Sequence, residues 1–263
     1  MSVTLNFLSL SLLLPACFMS YCRPQSTNLV KWSLLLLAVV GSLIVPLNIL
    51  ANYWGAGVAF SLRVTLLAIL LVYCLTCLIY PFAHRLGILI FPYLLVLGVG
   101  AAGLSTLDDS SHVFYSSSKW IFVHIISSVL TYALISLSAI VSLAVYLSQR
   151  SLKGKKNNKL VALLPAINEG NKLQTKLLIF AQLILLCGLL TGVILQYFNT
   201  KTFLVFDHKT VLTTLAFLII GFVVYLQERS GIRGKIAVRF IMFAYLMLTL
   251  AYPGVKFVGQ ILL

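Results

Sequence analysis

Four histidines are spread along the chain, and two of them stand where an imidazole can do chemistry. His124 comes about one turn into the apolar run KWIFVHIISSVLTYAL, and His208 opens a second run, FDHKTVLTTLAFLII. A histidine within lipid is costly and usually faces the bundle interior or a cavity. A neutral imidazole is also a common ligand of metals, heme iron among them. Two imidazoles from separate helices at one membrane face can flank a heme iron. The plainer alternatives are a hydrogen-bonded packing histidine for His124 and a solvated helix start for His208. Asp207 is a natural N-cap; its carboxylate can equally accept from an imidazole N–H and fix the tautomer. Thr131 and Tyr132 lie about two turns from His124, where they either donate hydrogen bonds to the site or pack. The candidate set is therefore His124 and His208 on the iron, with Asp207, Lys209 and Tyr132 around the cofactor. His84, beside Arg85, reads as an ordinary interfacial residue, and His112 as part of a polar loop with Asp108 and Asp109.

The elements that must position these residues are membrane spans. Of 263 residues 61% are hydrophobic and only 9% charged, with a mean hydropathy of +1.06. A soluble domain is roughly 45–50% apolar and about 25% charged, so lipid is the solvent here. A crossing helix needs about 20 apolar residues, and about eight such stretches are present: 4–21, 32–51, 62–80, 86–104, 120–147, 176–197, 209–227 and 236–251. They are continuous rather than alternating, which selects helices over a barrel. The expectation is an all-α polytopic membrane bundle forming a single integral domain over 1–263.

A net charge of +14 raises the question of nucleic acid, but the cations sit in short loops between spans and report topology instead. The connection 148–175 carries Arg150, Lys153, Lys155, Lys156, Lys159 and Lys172 against Glu169 alone. Arg23 and Lys31 mark the first connection; Arg229, Arg233 and Lys235 mark the seventh. The intervening loops are cation-poor and hold Asp108, Asp109 and Asp207. The first, third, fifth and seventh connections then face the cytoplasm, and both termini face the periplasm. The stretch LVALLPAINEGNKLQTKLL has near-helical apolar spacing beside lysines, which suits an amphipathic segment on the leaflet. Arg63, Lys119, Lys201, Lys209 and Lys256 fall near the outer face, where cations either meet heme propionates or snorkel.

Other features carry less. Cys74 and Cys77 have redox-motif spacing, but an apolar helix keeps thiols protonated and inert, and no histidine follows for heme attachment. Gly98, Gly100 and Gly103 suit close helix packing. The N-terminal apolar run lacks a basic n-region, so an uncleaved first helix is expected.

The run WIFVHIISSVLTYALISLSAIVSLAVYL resembles the helix that carries the first outward heme-ligand histidine in the CcsA/CcmC cytochrome c assembly superfamily. FDHKTVLTTLAFLIIGFVVYLQ falls where those proteins end their tryptophan-rich heme-handling loop, of the form WDPKE. LGILIFPYLLVL and the terminal AYPGVKFVGQILL are further matches, and the DHKT variant is closest to the YpjD/HemX branch. The resemblance runs from about residue 55 onward. It implies that His124 is the outer-face ligand, Asp207 the loop aspartate and Lys209 its lysine. His208 stands where the assembly proteins have proline, the loop tryptophans are missing from NTKTFLVFD, and the chain ends without their second outer histidine.

The resemblance implies a bacterial inner-membrane protein that binds or handles heme near the periplasmic face, in or near cytochrome c biogenesis. Membrane lipid and heme are the expected partners, together with cytochrome c assembly or heme-biosynthesis proteins; nucleic acid is not. The alternative is a regulatory or scaffolding membrane subunit, a HemX-like control of heme biosynthesis acting through the basic connection. No nucleophile or acid–base pair is visible, so no enzymatic activity is expected. An ion-coupled transporter would bury acids at mid-membrane depth, and none lies there in these spans.

Overall fold

Within hydrocarbon every backbone N–H and C=O must be satisfied inside its own segment, and the apolar runs obey by coiling. The computed structural model of the chain describes residues 3–22, 28–52, 57–105, 119–154, 159–201, 207–229, 231 and 234–254. Among the described residues the elements are helices, with no strand. In chain order they are α1 (Val3–Ser11), α2 (Leu14–Cys22), α3 (Asn28–Asn52), α4 (Val58–Ile79), a 3₁₀ turn (Pro81–Leu86) and α5 (Gly87–Leu104). There follow α6 (Lys119–Lys153), α7 (Lys159–Ala162), α8 (Ile167–Thr200), α9 (His208–Arg229), α10 (Lys235–Thr249) and a terminal π turn (Leu250–Gly254). Among the described residues, seven helical segments are long and apolar enough to cross a bilayer. The protein is an all-α polytopic membrane bundle.

The first apolar run departs from the expected single span. It is two nine-residue helices broken at Leu12 and Leu13. Pro15 has no N–H to give the preceding turn, and Leu13 N–H instead tightens onto the Leu10 carbonyl at 3.1 Å. The expected connection 148–175 is also mostly helix: α6 runs on to Lys153, and α8 starts at Ile167, just after Pro165. The amphipathic stretch is thus partly the first turns of a membrane-crossing helix.

The chain forms two compact units, Met1–Phe114 with Leu147–Glu169, and Tyr115–Tyr146 with Gly170–Leu263. In the first unit small residues set helix approach. A Cβ on Gly41 would lie 2.7 Å from the Leu12 Cβ, and one on Gly98 would collide with Leu10, whereas Gly100 and Gly103 face open space. Of the three glycines expected to pack, only Gly98 does so. A polar chain runs through the same unit: Arg63, 5% exposed, donates to the Asn6 side-chain carbonyl, and the Asn6 amide donates to Ser105 Oγ at 3.1 Å.

In the second unit α9 and α10 meet through the edge-to-face pair Phe222–Phe240. Thr175 of α8 donates to Gln227 of α9 at 2.9 Å. These contacts hold the helices that carry the candidate residues.

Candidate functional site

His124 is half-buried and faces α8. Its Nδ1 lies 3.0 Å from the Gly188 carbonyl and 3.3 Å from Thr191 Oγ1. A carbonyl oxygen can only accept, so Nδ1 carries the proton and Nε2 keeps its lone pair. Thr191 spends its own hydrogen on the Cys187 or Gly188 carbonyl, at 2.9 and 3.0 Å. The ring is seated by absence of side chain: a Cβ on Gly192 would come 3.2 Å from His124 Cε1. Ser127 and Ser128 both donate back to the His124 carbonyl, at 2.9 and 2.7 Å. The result is an imidazole with one nitrogen anchored and the other available, the arrangement in which an outer partner fixes the tautomer of a metal-binding histidine.

His208 is the first residue of α9, and Asp207, His208 and Lys209 are all exposed. The Asp207 carbonyl accepts from Val211 N–H at 3.0 Å, which makes Asp207 the helix-start residue that its sequence position suggested. No hydrogen bond joins Asp207 to His208, or His208 to His124, among the described residues. Both histidines belong to the second unit. His124 meets α8 at residues 188–192, and His208 opens α9.

Tyr132 belongs elsewhere. It is 2% exposed, its hydroxyl lies 3.2 Å from Thr249 Oγ1 and 3.4 Å from the Tyr245 hydroxyl, and its ring packs on Tyr245 and Tyr252. It ties α6 to α10. The buried Thr131 hydroxyl has no hydrogen-bond partner among the described residues. Arg63 is committed to Asn6 within the first unit. The side chain of Lys119, and His112 and Lys256 altogether, lie outside the described residues.

With this geometry in view, comparison with known proteins is informative. The family model described as "Cytochrome C assembly protein" matches residues 28–263. The chain belongs to the cytochrome c assembly family. It is also 35% identical, over its whole length and 98% of the relative, to an "Uncharacterized 28.8 kDa protein in nifR3-like 5'region" from Azospirillum brasilense. No solved structure matches it. Membership joins this multi-pass chain to heme-handling and cytochrome c biogenesis.

One feature of this family member was not legible as a site in the sequence. In the first unit, a cavity of about 610 Å³ is lined by Lys31, His84, Arg85, Glu169, Leu34 and Phe91, among others. His84 packs edge-on against Trp32 at 5.2 Å, and its backbone carbonyl accepts from the Tyr73 hydroxyl at 3.3 Å. The walls come from the first, third and fifth connections, the ones that charge alternation assigns to a single face. No local pattern joins residues so far apart in sequence.

Proposed function

We propose that the protein binds heme in the second unit, where His124, through Nε2, and His208 would hold the iron. The observation that carries this reading is the hydrogen bond from His124 Nδ1–H to the Gly188 carbonyl, which leaves the Nε2 lone pair unspent while the ring lies against Gly192 of α8. Heme supplies an iron that takes nitrogen ligands and two propionates that take cations. Lys201 and Lys209 are exposed and would suit the propionates. Asp207, the neighbour of His208, would accept from its ring N–H and fix its tautomer in a heme-bound state. The cargo is an intact cofactor held by coordination and shape, near the outer face of a bacterial inner membrane, as in the YpjD/HemX branch. Assembly or heme-biosynthesis proteins are its partners.

The test is the visible spectrum of protein purified in detergent from heme-replete cells. A Soret band is expected that is lost in His124→Ala and weakened in His208→Ala, with helical content unchanged. Equal heme content in wild type and both variants refutes the ligand assignment. A folded, heme-free protein favours the regulatory reading, in which substituting Lys153, Lys155 and Lys156 is what abolishes function.

A further inference from the structure

The cavity of the first unit is independent of the heme reading, since none of its residues belongs to the second unit. Its volume of about 610 Å³ falls within the range of about 300–1,000 Å³ usual for small-molecule sites. Its chemistry is split. Leu34, Leu35 and Phe91 give it an apolar wall, while Lys31, Arg85 and Glu169 bring three charges to the same space. None of the three makes an ion pair or hydrogen bond with any described residue. Opposite charges that share a cavity without pairing leave both signs free for a ligand.

Position narrows the ligand. Lys31 lies in the first turn of α3, Arg85 in the 3₁₀ turn before α5, and Glu169 in the first turn of α8. All three stand at helix ends, in connections that charge alternation assigns to one membrane face, where headgroups would meet them. Trp32 and His84 form an aromatic rim there, of the kind favoured at membrane interfaces. We propose that this cavity holds one phospholipid whose headgroup carries both a phosphate and an ammonium, with an acyl chain along Leu34, Leu35 and Phe91. Lys31 and Arg85 take the phosphate through charge-assisted hydrogen bonds, His84 adds a ring nitrogen, and Glu169 takes the ammonium. A ligand whose only charges were carboxylates would meet Glu169 with like charge.

The experiment is native mass spectrometry of the full chain, delipidated in detergent and titrated with phosphatidylethanolamine or phosphatidylglycerol. One phosphatidylethanolamine is expected to bind, at least fivefold better than phosphatidylglycerol. The double variant Lys31→Ala, Arg85→Ala should lose at least tenfold in occupancy. Glu169→Gln should bring the two lipids to parity, and Leu34→Trp, which fills the cavity, should exclude both while thermal unfolding in detergent stays unchanged. Equal binding of the two lipids by the wild type overturns the proposal, as does occupancy that these variants do not alter. So does a heme absorption band that survives His124→Ala and disappears in His84→Ala.

Discussion

The two units place their polar groups by opposite rules. The first buries a full charge, Arg63, against a neutral partner, and gathers three more charges around a cavity. The second leaves its described charges exposed and puts neutral groups inside: a histidine held by a carbonyl, a tyrosine cluster, and the hydroxyls of Thr131, Ser138 and Ser142, which have no partner among the described residues. A buried charge makes a unit sensitive to loss of any partner, because the desolvated ion remains when its acceptor goes. A neutral interior is more forgiving in stability and more selective in coordination. The lesson is that stability and ligand chemistry are separable in this chain, one unit being easier to break and the other easier to silence.

The largest effect that would sharpen the contrast is on binding. Gly192→Leu, which drives a side chain into the His124 ring, should lower heme affinity by about 10–100-fold in a spectral titration, with little change in unfolding temperature. Next, Asn6→Leu should destabilise by about 3 kcal/mol by stranding the Arg63 guanidinium, read as detergent unfolding, and heme affinity should not move. Pairing it with Arg63→Met should recover much of that loss. A similar cost for Asn6→Leu with and without Arg63→Met would break the comparison. Gly98→Leu should cost about 1–3 kcal/mol by overpacking against Leu10, while Gly100→Leu, facing open space, should be neutral in the same assay. The smallest change belongs to Tyr132→Phe. Loss of its hydroxyl bonds to Tyr245 and Thr249 should cost about 0.6 kcal/mol, and heme content should stay at the wild-type level if Tyr132 only packs.

Span positions were legible because hydropathy and helix length answer to one thickness. The apolar runs expected at 62–80, 86–104 and 209–227 correspond to α4, α5 and α9 within a few residues at each end. Where hydrogen bonding and hydropathy part company, the reading failed. Lys172 and Lys176 interrupt the apolar signal, yet the backbone coils through them, so α8 begins well before its lipid-facing part. Pro15 hid a break inside a run that looks uniform. At the candidate site, His124 stood out as a histidine in an apolar segment, but its acceptor is a main-chain carbonyl, which no residue type advertises. His84 was passed over for a related reason: its surroundings come from three connections that only folding brings together. Tyr132, chosen for its spacing from His124, turned instead to α10, since two turns along a helix do not fix the direction a side chain takes.

The 35 residues of α6 make a rod of about 52 Å, against a hydrocarbon slab of about 30 Å. Trp120, an interfacial residue type, marks the edge nearer His124, so the surplus projects at the Arg150 and Lys153 end. A tip carried past the headgroups by more than the Debye length of about 8 Å at physiological salt would feel anionic lipid only weakly. Its positive charge is displayed to the aqueous phase, where an acidic soluble protein would encounter it before the bilayer does.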